Sequence, residues 1–189
     1  KDNKVLEVTR DRVEVTPHTH LEKNWMPILD MPFHFVRWCN PLEIIKVNPK
    51  NKFIKKVTKG RIDVIDSEVV HRDDTPLNLP LGLRGSSQVI PFGDNGDRIC
   101  VTHETHFYYH QNKKKDAQYY HRFVIWDKNW KVKRVSEQFK FMDAMIEFAC
   151  GLIIKDGNFI ITYGYQDNAA YALKMPIKLL DKLKWDIDE

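Results

Sequence analysis

Cysteine is scarce in this chain, and its spacing fits neither a structural zinc site nor a disulfide framework. The three cysteines, Cys39, Cys100 and Cys150, lie far apart, and no pair has the CxxC spacing of zinc-binding modules. An odd number of cysteines also leaves one without a disulfide partner. We therefore expect reduced thiols in an intracellular, cytoplasmic setting and no structural metal.

Long hydrophobic runs are absent as well. No window approaches the roughly 20 consecutive apolar residues that a transmembrane helix needs. The first four residues lead into a strand-like segment without the apolar core of a signal peptide. The sequence therefore predicts no membrane span.

A strong excess of charge of one sign is also missing. Thirty Lys and Arg residues stand against 26 Asp and Glu residues, giving a formal net charge of +4. The excess lies in Lys46–Arg61 and Lys113–Lys115, both beside residues typical of hairpin tips. Because no aromatic residues interleave with these lysines, solvated loops are favoured and no nucleic-acid partner is expected.

What the chain does contain is strand-forming sequence. Aromatic residues make up 12% of the chain, which requires that many be buried or line a pocket. Nine short segments rich in β-branched and aromatic residues are predicted as strands. They are Phe33–Trp38, Leu42–Val47, Arg61–Ile65, Ser87–Phe92, Arg98–Thr105, Tyr120–Trp126, Phe148–Ile154, Asn158–Tyr163 and Ala170–Lys174.

Turn-forming residues separate these segments. Asn48–Asn51, Gly93–Asp97 and Asp127–Asn129 each predict a chain reversal. Lys155–Asn158 is the strongest hairpin signal, because its central Asp-Gly pair suits the primed two-residue turns. Only Pro176–Lys184 has helical spacing, and the alternative for it is a closing strand followed by a tail.

Short strands without alternating helices predict an all-β sandwich, barrel or propeller. Recurring hairpins, and the chain reversal after Trp126-Asp127, favour β-propeller blades with a short C-terminal helix or tail. A blade takes roughly 40–50 residues, so about three to four blades are expected here. We therefore predict that residues 1–189 form a single propeller-type domain, part of a five-bladed ring, that lacks one or more N-terminal blades.

Polar side chains recur at strand ends in the first half of the chain. Lys23 and Asn24 precede the first clear strand, and adjacent polar groups beside an aromatic suit sugar hydroxyls. Arg37 lies among aromatics inside that strand, and Arg84 is followed by Gly and Ser residues. An arginine fork binds phosphate or carboxylate in a bidentate manner. The alternatives are a capped loop for the first pair, a structural ion pair for Arg37 and a solvated side chain for Arg84.

Three further candidates lie in the second half. His103 is a ligand-facing donor or a satisfied core histidine, and strand alternation turns it away from His106, which argues against a metal site. Glu147 lies among apolar residues, where a carboxylate must be paired, so it binds a hydroxyl or an arginine or serves as an acid. Asp167 is the strongest sugar-contact candidate, with turn chemistry as its alternative.

Taken together, these segments resemble the β-mannoside phosphorylase and hydrolase family. Its members are five-bladed β-propellers related to arabinanase-type glycosidases. The resemblance runs through the motifs EKNW, RGSSQ, YYHRFV, IEFACG and YGYQDNAAY, and covers residues 22–176. In these motifs the chain is more similar still to propeller modules that accompany glycosyltransferase domains in glycan-assembly proteins.

The resemblance implies an anion site and a sugar site. Arg37 and His103 would bind phosphate, with Tyr119 beside them, or Tyr120 if the register differs by one. Asp167 would bind the sugar. No cofactor is implied, because inorganic phosphate or a sugar phosphate would be a substrate.

The chain also departs from the family. Arg84 and Arg122 fall near family binding positions, whereas Glu147 lies in a segment that varies. The family's general acid, an Asp in a DPR-type segment, has no counterpart in residues 1–189. Two functions therefore stay open: an enzyme that acts on or transfers β-linked glycosides, and a non-catalytic glycan-binding or scaffolding module of a glycosyltransferase.

Overall fold

The computed structural model describes residues 12–15, 24–57, 60–79, 82–109, 111 and 115–188. Within these ranges the regular structure is almost entirely β, arranged in three sheets, and none of them closes on itself. Within the same ranges, no helix has the length and apolar character needed to cross a bilayer. The all-β prediction is confirmed, whereas the propeller stays a prediction.

Sheet 1 is formed mostly by the first half of the chain. Its strands are β1 Arg12–Val15, β2 Met26–Pro27, β3 His34–Cys39, β4 Leu42–Val57 and β5 Gly60–Asp73. Strands β2 to β5 form an antiparallel meander, and β1 pairs in parallel with β5 at its outer edge.

Sheet 2 occupies the middle of the molecule. Its strands are β6 Arg84–Gly85, β7 Ile90–Phe92, β8 Asp97–Tyr109, β9 Lys115–Trp126, β10 Val132–Ser136 and β14 Trp185–Asp188. Strand β8 pairs with both β6 and β7, and the order continues through β9 and β10 to β14. The end of the chain thus returns to the outer edge of sheet 2.

Sheet 3 is a three-stranded antiparallel meander. Its strands are β11 Glu147–Lys155, β12 Asn158–Tyr165 and β13 Ala169–Pro176. The predicted hairpin between β11 and β12 is confirmed, with Asp156 at φ 49° and Gly157 at φ 70°. Positive φ at both central residues is what a type I′ turn requires.

Two local predictions were wrong or incomplete. Asn48–Asn51 is not a turn, because β4 continues through it and its register with β5 jumps from Val47 to Lys52. The extra residues form a bulge in β4, in which Asn48 Oδ1 accepts the Lys50 N–H at 3.2 Å. Most of Lys46–Arg61 therefore lies on hairpin strands, not in a loop. The predicted C-terminal helix is a 3₁₀ helix, Ile177–Lys182, followed by β14.

The core lies on the two faces of sheet 2. Residues alternate between these faces along β8 and β9. One face packs on sheet 1 through Cys100, Val124 and Trp126, which belong to a buried cluster with Met26 and Val36. The other face packs on sheet 3 and forms a second cluster, made up mainly of Ile99, Val101, Phe123, Ile125, Leu152, Phe159 and Ile161.

The inner-edge strands of the three sheets, which are β2, β6–β7 and β11, lie side by side. Ile28 and Val89 form a parallel bridge, in which the Val89 N–H donates to the Pro27 carbonyl at 2.9 Å. The Gln88 amide then bonds both backbone groups of Leu152, at 2.7 and 3.2 Å. The sheets are therefore joined along these inner-edge strands, and the starts of β2, β6 and β11 share one end of the molecule. We call this end the strand-start end.

Candidate functional site

Arg84 and His103 share one face of sheet 2 at the strand-start end. They are register partners in the antiparallel pair β6–β8, and directly opposite residues in such a pair point to the same side. Arg84 is exposed and has no ion-pair partner among the described residues, whereas His103 is buried. Exposed Arg84 thus stands opposite buried His103 in the strand pair.

Asn24 lies directly against the same strand. It has a φ of 64°, and its carbonyl oxygen would be 2.0 Å from a Cβ added at Gly85. A side chain at position 85 is therefore excluded by the backbone of Asn24, just before β2. The absence of a side chain at Gly85 thus allows the neighbouring sheet to approach β6, on the face opposite to Arg84.

Two aromatic rings flank His103. The Tyr119 ring centroid lies 5.5 Å from the imidazole, and that of Phe148 lies 5.0 Å away in an edge contact. Tyr119 shares this face of the hairpin because it pairs with Thr105, two residues after His103. Tyr120 points the other way, where its ring meets His106 at 4.7 Å. The register therefore associates Tyr119, not Tyr120, with His103.

A second buried histidine, His121, lies beside His103. It is the register partner of His103, and its Nε2 accepts the Ala149 N–H at 3.2 Å. Burial, together with the nearby charge of His103, lowers the pKa of His121 from 6.5 to about 3. His121 is therefore neutral at physiological pH, and it links sheet 2 to the first strand of sheet 3.

Two of the predicted arginines bind carboxylates of the protein. Arg37 is buried, and its Nη1 lies 2.6 Å from Glu43 Oε1. Arg122 donates to Glu104 Oε1 at 2.7 Å, to the Ser136 carbonyl at 2.5 Å and to Asp186. Both arrangements match the structural ion pair considered as the alternative for Arg37. Their roles in ligand binding stay untested predictions.

Glu147 is fully buried and accepts hydrogen bonds from the backbone of the loop that precedes β11. Its Oε2 accepts the Phe141 N–H at 2.6 Å, and its Oε1 accepts the N–H groups of Met142 and Ala144 at 2.9 Å each. Hydrogen bonds from several backbone N–H groups stabilise a buried carboxylate without any arginine. Burial raises the pKa of Tyr163, and the nearby charge of Glu147 raises it further.

The remaining predicted residues do not join the cluster around His103. Asp167 is exposed at the tip of the β12–β13 hairpin, and it and Gln166 have φ values of 55° and 53°. This is the turn chemistry considered as its alternative. Its hairpin tip nevertheless lies at the end of sheet 3 where β11 begins, because Glu147 pairs with Tyr165. Lys23 lies outside the described residues.

Asn24 approaches β6 at Gly85, on the face opposite to Arg84. Three of the predicted residues therefore lie on one face: Arg84, His103 and Tyr119. We call this group the anion cluster. Sequence reasoning missed Phe148 and His121, although both stand in motifs that it selected. Counting outward from the β8–β9 turn pairs His121 with His103, so the signal for His121 was present. Phe148 belongs to another sheet, and only packing brings its ring to the cluster.

Comparisons with known proteins give one structural likeness. No protein-family profile and no curated protein matches the sequence. A mannose phosphorylase from Leishmania mexicana, solved in complex with a phosphate ion, aligns with 87% of this chain and 70% of its own. The alignment has 11% sequence identity and a TM-score of 0.41.

Proposed function

We propose that this chain is a carbohydrate-active module that binds an anionic group, inorganic phosphate or a sugar phosphate, at the anion cluster. In this proposal it acts on or transfers β-linked glycosides. The proposal is carried by one observation: Arg84, His103 and Tyr119, from three separate sequence segments, meet on one face of sheet 2.

The chemistry of these three side chains suits a phosphate group. Arg84 supplies a planar set of N–H donors and a positive charge that no described carboxylate neutralises. The imidazole of His103 and the phenol of Tyr119 are further hydrogen-bond donors, and the centroids of their rings are 5.5 Å apart. We assign the anion-binding role to Arg84 in preference to Arg37, because the guanidinium of Arg37 is already bound to Glu43.

We further propose that the three sheets are successive blades of a β-propeller. Each has a strand at a common inner edge, from which the chain continues outward as a meander, and β1 is added at the outer edge of sheet 1. Blades of a propeller are arranged around an axis in this way. The starts of inner strands then face one mouth of the axial channel, where polar groups from several blades converge. Both Asn24 and Arg84 lie at such starts.

A second candidate function is a binding module without catalysis. It is favoured by the position of Glu147, the buried carboxylate at the start of β11. Both of its oxygens already accept backbone N–H groups, so it does not serve as the general acid that glycoside cleavage needs. In this alternative the anion cluster binds a saccharide and a partner domain performs the chemistry.

The test is calorimetric titration of the chain with inorganic phosphate and with mannose 1-phosphate. We expect Arg84→Ala to weaken both by about tenfold or more, the size of a lost charged hydrogen bond. Arg72→Ala is the matched control, because Arg72 is also an exposed arginine but lies in sheet 1. It is expected to leave both affinities unchanged. Equal affinities for wild type and Arg84→Ala would refute the assignment. Phosphorolysis of a β-mannoside by the wild type would separate the enzyme from the binding module.

A further inference from the structure

Strands β8 and β9 continue past sheet 2 as a two-stranded arm at the strand-start end. Strand β6 pairs with β8 only at Thr102 and His103. Beyond that point Thr105–Tyr109 pairs with no described strand except Lys115–Tyr119, and at its base the Tyr119 N–H also donates to the Met145 carbonyl at 2.9 Å. An isolated two-stranded ribbon is only marginally stable in water, so contact with a ligand or another surface would stabilise the arm.

The arm carries an aromatic stripe that continues from the anion cluster. The stripe consists of Tyr119, Phe107 and Tyr109, which the register places on the same face as His103. Its exposure grows along the arm, from half-buried Tyr119 to 47% for Phe107 and 72% for Tyr109. Phe107 and Tyr109 are about 7 Å apart along the strand, so their rings are neighbours on this face.

We propose that this aromatic stripe is an extended glycan subsite, on which the second and later sugar rings of a β-linked oligosaccharide stack. The inference rests on the proposed function, because the first sugar or its phosphate must occupy the anion cluster. Aromatic faces bind the C–H faces of sugar rings, and a tyrosine adds a hydroxyl that bonds to sugar hydroxyls. The stripe begins at Tyr119, which belongs to both sites.

Charge favours a neutral glycan over single-stranded nucleic acid as the occupant. Residues 104–120 contain three lysines and two carboxylates, a net charge of +1. Nucleic-acid binding depends on neutralising many phosphates, and a single excess charge supplies little of that. Aromatics do not interleave with these lysines in sequence, but the fold brings Lys115 Nζ to 3.7 Å from the centre of the Phe107 ring. Nucleic acid is therefore included in the test.

The experiment is a titration of the full chain with β-1,4-linked manno-oligosaccharides of one to four units. We expect affinity to rise with length in the wild type. Tyr109→Ala should lower affinity for the tetrasaccharide by about tenfold, roughly one aromatic contact, while leaving mannose and phosphate unchanged. Phe107→Leu should have the same selective effect. Tyr108→Ala is the matched control, because Tyr108 is 43% exposed and lies on the opposite face of the arm.

The outcomes separate this inference from the function beneath it. If phosphate binds through Arg84 but affinity does not depend on chain length, the stripe is not a glycan subsite and the anion cluster stands. If Tyr109→Ala and Tyr108→Ala weaken the tetrasaccharide equally, the face assignment is wrong. Tighter binding of a uridine oligonucleotide than of the tetrasaccharide, lost in Tyr109→Ala, overturns the glycan in favour of nucleic acid. No binding of any saccharide or phosphate refutes both proposals.

Discussion

At the scale of single residues, the charged candidates differ in whether the protein itself supplies their partners. Arg37, Arg122 and Glu147 are buried, and each is bonded within the fold. Arg84 is exposed and has no described ion-pair partner. Because a charge is buried only where something compensates for it, the exposed arginine is the better candidate for a ligand.

Arg37→Met is expected to destabilise the fold by about 3–5 kcal/mol, because it leaves the buried Glu43 carboxylate without its closest cation. The double variant Arg37→Met with Glu43→Leu should recover much of this loss, since neither charge then remains buried. Urea denaturation of the four proteins of this cycle measures the coupling. A ligand-binding role for Arg37 predicts the reverse: little loss of stability and weaker phosphate binding.

His121 should make stability depend on pH. Its folded pKa, about 3, lies below its ordinary value of 6.5, so the unfolded chain takes up a proton first as the pH falls. The stabilisation is therefore fully present above about pH 6.5 and is lost towards pH 3, by up to about 1.4 kcal/mol per pH unit.

The measurement is the unfolding free energy between pH 7 and pH 5 for wild type and His121→Gln, a variant that can still accept the Ala149 N–H. The variant should show a shallower dependence on pH. Identical slopes in the wild type and in His121→Gln would show that His121 is not held neutral by the fold.

At the scale of elements, most strands and the glycine-containing turns were predictable, and the two-residue strands were not. Each of the nine predicted strands overlaps an observed one, because its β-branched and aromatic residues pack on a half-buried sheet. Strands β2 and β6 have two residues each, too few for any alternation to appear. They are held by neighbouring strands, so nothing local in the sequence marks them.

The arm of β8 and β9 also combines features that the sequence predicts with features that it does not. The pairing of its two strands follows from the turn between them, and the stripe follows from alternation. That the arm extends beyond β6, and therefore exposes Phe107 and Tyr109, depends on where the neighbouring strand ends. Exposure of these aromatics was not visible in the sequence, because identical residues in a covered strand would belong to the core.

At the scale of the whole molecule, Gln88 is a test of how the sheets are joined. We expect Gln88→Ala to destabilise the fold by about 1–3 kcal/mol, because both of its amide bonds to Leu152 are lost. Hydrogen exchange should accelerate most at Leu152 and along β11. Gln111→Ala, an exposed substitution in the β8–β9 connection, should change neither quantity. Uniform acceleration across all three sheets would argue against a local joint.

The sequence by itself determined that the chain forms antiparallel strands, where most of its hairpins turn, and which polar residue types occur at strand ends. These properties depend on the alternation of side chains and on the backbone conformations of neighbouring residues, so they are local. The tertiary structure alone decided that Arg122 meets Asp186, 64 positions away, and that Arg84 remains open beside His103 and Tyr119. Whether a charge is paired or left for a ligand depends on register and sheet packing, which bring together residues that no local pattern relates.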